Sequence, residues 1–99
     1  MVAWAIVGAD QFRVTKGAAV AYASSEHGRR HFCPACGTGL FYTNDAAFAG
    51  LVDVQLAAMD DPDVFQPTEQ IQIAERIGWM ATVHELPTHE RFPEDLASG

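Results

Sequence analysis

With 99 residues, 48% of them hydrophobic and 19% charged, the chain has the makings of a folded domain and not of a disordered tail, and folding would bury roughly 60–70% of the surface an unfolded chain exposes. Six Lys and Arg against thirteen Asp and Glu leave a net charge of −7, which repels a polyanion over most of the surface and argues against a nucleic-acid partner. No apolar run approaches the ~18 residues of a membrane span, and the first residues lack the basic flank of a signal peptide, so the sequence reads as cytoplasmic with no membrane partner.

In chain order, short apolar segments alternate with turn residues, a pattern that favours β structure. Ala3 to Val7 reads as a strand broken by Gly8-Ala9-Asp10, and Phe12 to Thr15 alternates in period two before Lys16-Gly17. Ala19 to Ala23 is the next strand, and Ser24 to Gly28 is turn-like. Arg30-His31-Phe32 and Leu40 to Thr43 then flank Cys33 to Gly37, and Asn44-Asp45 marks another turn. Phe48 to Met59 is the longest apolar run and predicts a buried strand, with a helix over Val52 to Met59 as the alternative that periodicity leaves open. Asp60 to Asp63 ends it. Pro67 to Ile73 predicts an edge strand, Ala74 to Met80 is ambiguous, and Leu86 onward, with Pro87 and Pro93, predicts a surface tail. Trp4, Phe41, Tyr42 and Trp79 are expected in the core. No repeat or second domain is visible; one domain over residues 1–93 and a tail over 94–99 are expected.

The only two cysteines lie in Phe32-Cys33-Pro34-Ala35-Cys36-Gly37. Cysteines at i and i+3 of a tight turn aim both thiolates at one metal, while Pro34 and Gly37 supply the fixed φ and the positive φ that such a turn uses. In a chain without a secretory signal, two cysteines read better as metal ligands or redox thiols than as a disulfide framework. Zinc in a structural site takes four ligands, so Cys33 and Cys36 form half of one. The second pair is histidine, or belongs to another chain, or has been lost.

The succession of Gly17, Tyr22-Ala23-Ser24-Ser25, the run from Arg30 to Leu40, Met59-Asp60-Asp61-Pro62, Pro67 and Trp79 resembles the glutathione-dependent formaldehyde-activating family, the GFA or CENP-V/GFA domain, from about Trp4 to Pro93. The resemblance implies a mainly β, Mss4-like or β-tent fold related to zinc ribbons. It implies zinc as cofactor, a structural ion held partly by the residues at Cys33 and Cys36, and glutathione or a related thiol adduct as partner. The implied reaction is that of a carbon–sulfur lyase on the adduct of formaldehyde with the glutathione thiol. The family's upstream C-x-C and CHCxxC motifs have no counterpart here, so the implied fold is truncated at its N-terminus and the catalytic residues stay unassigned. The alternative reading is a non-catalytic zinc-binding or assembly module whose knuckle is purely structural. A homodimer would offer four thiolates where one chain offers two.

Other residues have plainer readings. His84 and His89 have Cys2His2-like spacing to each other but stand far beyond the ~12–15 residues that separate the pairs of a short finger. His31 reads as a hydrogen-bonded strand residue and His27 as a solvated turn residue. Ser24 and Ser25 suit turn capping. Arg29 and Arg30, the sole basic cluster, suit either a carboxylate clamp or an ion pair. Asp60 to Asp63 lacks the Gly and Glu of a calcium loop and reads as a solvated turn.

Overall fold

Apolar residues build β1 Trp4–Gly8, β2 Val20–Ala23, β4 Gly39–Asn44 and β5 Leu51–Gln55, while β3 Gly28–Phe32 is Gly-Arg-Arg-His-Phe with Phe32 as its one apolar side chain. A computed structural model describes residues 2–93, which divide into two units parted after Thr68. All five strands belong to the first unit. They build one antiparallel sheet in the order β1-β5-β4-β3-β2, so the chain is mainly β. Among the described residues no helix is long and apolar enough to cross a membrane.

Register sorts the side chains into two faces, because successive residues of a strand point to opposite sides. Ala5 and Phe41 both pair with Val54, Val7 with Val52, and His31 with Phe41, which gathers these residues on one face. Phe12 covers that face, its ring centroid 4.7 Å from that of Phe41. Val52 and Leu56 form the buried apolar core among the described residues, each 5% exposed and each contributing about 1.5–3 kcal/mol by leaving water. The opposite face carries a row across the sheet, Ile6–Asp53–Tyr42–Arg30–Tyr22. The Arg30 guanidinium lies over the Tyr42 ring at 5.4 Å, and Tyr22 and Ile6 at the ends of the row are exposed.

A bulge interrupts the β3–β4 ladder. His31 pairs with Phe41 and Phe32 with Gly39, leaving Leu40 as the extra residue on β4.

The structure corrects several expectations. Phe12 to Thr15 forms no strand: after a 3-10 turn at Ala9–Gln11 the chain runs extended across the sheet, and Phe12 turns its ring onto Phe41 in place of a ladder. The Phe48 to Met59 run is neither one long strand nor a helix. Asn44 Oδ1 accepts the N–H groups of Ala46 and Ala47, Gly50 adopts a positive φ of 74°, and only then does β5 begin. It lies between β1 and β4, and a 3-10 turn at Leu56–Ala58 ends it, turning Leu56 inward.

Pro67 to Ile73 pairs with no strand; Pro67 has no N–H to give a ladder and Gln72 sits in the left-handed region at φ 57°. In the second unit, Ile73–Glu75 and Gly78–Glu85 are 3-10 segments, and residues 86–93 are irregular. Trp79, expected in the core, is 61% exposed: it lies in a 3-10 run, which stacks its side chains every third residue, and among the described residues of its own unit there is no strand to face it. Trp4, Phe41 and Tyr42 are half-buried. The tail expected at 94–99 lies outside the described residues.

Candidate functional site

The hairpin of β3 and β4 ends in the six residues from Cys33 to Thr38, and backbone hydrogen bonds set its shape. Cys33 N–H donates to the Thr38 carbonyl at 2.9 Å, adding one rung beyond the strands, and Gly37 N–H donates to the Cys33 carbonyl at 2.7 Å, closing the turn. Gly37 sits at φ 78°, a conformation that costs a side-chain-bearing residue about 1–2 kcal/mol. The expectation of a cysteine pair on a hairpin tip matches this geometry. Cys33 is half-buried, Cys36 exposed, and neither is in a disulfide.

The tip favours thiolate at Cys36. Its Sγ lies 3.1 Å from Thr38 Oγ1, and the Thr38 hydroxyl, then the Thr38 backbone N–H and the Cys33 thiol, hold the Cys36 pKa below the ordinary thiol value. Thiolate is the form that ligates metal. Two such groups supply half the set that a closed zinc site takes, and among the described residues no group of three or more His, Cys, Asp and Glu stands together. The described residues therefore do not fit a complete zinc site on their own.

The remaining residues singled out in the sequence have structural work elsewhere. His31 stacks on Phe41 with centroids 4.1 Å apart and an interplanar angle of 13°, and its Nε2 is hydrogen-bonded to Thr43 Oγ1 at 3.2 Å. Burial lowers its pKa, which favours the neutral ring. Ser25 Oγ accepts the Gly28 N–H at 3.0 Å, the capping expected of it. Arg29 donates to the carbonyls of Gly28, Ser25 and Glu26, which pins the turn before β3. His27 and His84 lie 3.8 and 3.9 Å from their sequence neighbours Glu26 and Glu85. Asp61 Oδ1 accepts the Asp63 N–H at 3.2 Å, consistent with a solvated turn.

Beside the cysteine tip the sheet forms a groove of about 690 Å³, within the range of small-molecule sites. Its lining combines residues 12–19, Cys33 and Pro34 of the cysteine turn, and the apolar Leu40, Phe41, Val54 and Ala58. Leu40 and Phe41 are consecutive and would face opposite ways in a regular strand; the bulge lets both line the groove. Arg13 and Lys16 also line it, and no carboxylate among the described residues does. Neither cation stands out in the sequence, since only the fold of the 12–19 segment brings them beside Cys33. The Arg-x-x-Lys-Gly spacing is the one signal that could have marked them.

No curated protein and no solved structure matches the chain. The family model described as glutathione-dependent formaldehyde-activating enzyme matches residues 1–75, and those residues contain the whole sheet, the cysteine hairpin and the groove beside it. The chain belongs to the glutathione-dependent formaldehyde-activating enzyme family.

Proposed function

We propose that this chain is a zinc-dependent domain serving carbon–sulfur lyase chemistry on the adduct of formaldehyde with glutathione, or on a related thiol adduct. The observation that carries the reading is the paired thiols of Cys33 and Cys36 at a hairpin tip that borders a groove of ligand size. We assign these two cysteines as zinc ligands, within a Mss4-like, β-tent domain over residues 1–93. A cytoplasmic setting, where thiols stay reduced, suits them.

The two cysteines leave a four-ligand zinc site half filled, so the other ligands come from outside the described residues. A second copy of this chain meets the requirement simply, because a two-fold axis brings two identical hairpins and four thiolates to one ion. The chain's own part in the chemistry is to present the dithiol and to seat the adduct in the groove.

The test is to measure zinc content, molar mass and glutathione-dependent formaldehyde consumption on the same preparation, with Cys33→Ser as control. Zinc bound in a dimer, with consumption lost together with zinc in the variant, is the expected result. Zinc and consumption both indifferent to Cys33→Ser would overturn the reading. Cysteine-dependent zinc without consumption would leave the non-catalytic, assembly-module reading in its place.

A further inference from the structure

The sheet groove carries a charge pattern unlike the rest of the chain. Overall the sequence is acidic at net −7, yet the two charged residues that line the groove, Arg13 and Lys16, are both cationic. The ion pairs among the described residues are those of His27 and His84 with adjacent glutamates, so Arg13 and Lys16 have no carboxylate partner there. The neighbouring arginines are engaged differently: Arg29 bonds three backbone carbonyls, and Arg30 lies over Tyr42. Two such cations in a groove whose lining also includes Cys33 and apolar side chains complement a ligand that carries carboxylates together with a sulfur.

We propose that Arg13 and Lys16 are positioning residues that hold the ligand's carboxylates, so that the groove selects carboxylate-bearing thiol adducts over neutral ones of the same shape. This rests on the reading of the groove as the adduct's seat and adds the ligand's charge and the residues that recognise it. Lys16 precedes Gly17, which takes a positive φ of 68° within the stretch that lines the groove and leads to β2. Arg13 lies three residues earlier, so one short segment presents both cations. Guanidinium recognises a carboxylate through two parallel hydrogen bonds, and ammonium adds a point charge. In an open groove these contacts are partly screened by water and salt, so the selectivity is modest and falls with ionic strength.

The probes are glutathione and glutathione diethyl ester, with binding measured by calorimetry or by amide chemical-shift titration in low and high salt. The wild-type chain should bind the acid more tightly than the ester. Arg13→Gln and Lys16→Gln should each weaken the acid by about three- to tenfold and leave the ester unchanged. Both side chains are exposed, so unchanged thermal melting separates lost binding from lost fold. An ester that binds as tightly as the acid, or a double variant that binds the acid like wild type, would overturn the proposal. Carboxylate-dependent binding without formaldehyde consumption would uphold it while removing the lyase reading. Consumption with a KM indifferent to salt and to both substitutions would do the reverse.

Discussion

Replacing Phe41 by alanine should destabilise the first unit by about 3 kcal/mol, a figure built from the ring's burial and its two aromatic contacts. The side chain is half-buried, so loss of its apolar area accounts for about 1 kcal/mol of the ~1.5–3 available to a fully buried ring. Its ring also meets Phe12 at 4.7 Å in a tilted arrangement and His31 at 4.1 Å in a stacked one. Each aromatic pair is worth ~0.5–1.5 kcal/mol beyond area, so the two add about 2. Phe41→Leu keeps most of the area and loses the pairs, and should therefore cost about 2 of the 3 kcal/mol. Urea unfolding followed by far-ultraviolet circular dichroism measures both, and a double-mutant cycle with Phe12→Leu isolates one pair at about 1 kcal/mol. A cost below about 1 kcal/mol for Phe41→Ala, or no coupling to Phe12, would refute the view that the 12–19 segment is clamped to the sheet through this ring.

Three further outcomes are expected. Cys36→Ser should abolish zinc retention as Cys33→Ser does, and acid should release zinc from the wild-type chain as the thiolates protonate, both read by metal analysis after desalting. Gly37→Ala should cost about 1–2 kcal/mol through backbone strain alone, since φ is 78° and nothing lies within 4 Å of the point where the new methyl would stand; Gly28→Ala should cost more, because its Cβ would stand 2.6 Å from Ser25 Oγ and 2.7 Å from the Tyr42 hydroxyl, and denaturant melts rank the two. Burial raises the Asp53 pKa, so the folded chain holds this proton to higher pH than the unfolded chain does, and stability falls as pH rises from the ordinary carboxylate value through the raised one. Asp53→Asn should therefore melt above wild type at pH 7, with the gap closing below about pH 3.5, and an equal gap at both pH values would contradict this.

Much of the sheet was legible because its signals are local. Trp4–Gly8, Val20–Ala23 and Gly39–Asn44 each combine apolar residues with an adjacent breaker, Gly28–Phe32 lies between a Ser-Ser turn and the cysteine turn, and the expected strands fall within a residue or two of them. The cysteine turn was equally legible, since Cys-x-x-Cys with Pro and Gly specifies its own geometry. Phe12 to Thr15 misled because alternation indicates which side chains share a face but supplies no partner strand; the ring of Phe12 found Phe41 instead. The Asn44 turn was expected, but nothing in the apolar run from Phe48 showed that Gly50, at a positive φ, would hold the start of the strand back to Leu51. The groove was illegible for a different reason. Its lining comes from residues 12–19, 33–34, 40–41, 54 and 58, and only cross-strand register and one bulged residue bring them together.

That bulge also divides the chain into places where evolution can change length and places where it cannot. Leu40 is the single residue by which β4 exceeds β3, and it places a second apolar side chain beside Phe41 in the groove. Deleting it would restore an even ladder with Gly39 still opposite Phe32, and would remove an apolar side chain from the groove while leaving the spacing of the thiols untouched. The turn between β4 and β5, which runs from Asp45 to Gly50 over exposed residues, carries no such burden and can lengthen at little cost. Natural variants of this chain should accordingly keep the count from Cys33 to Phe41 fixed while the 45–50 turn varies in length, a pattern in which insertions and deletions mark the groove more sharply than the identities of the residues lining it.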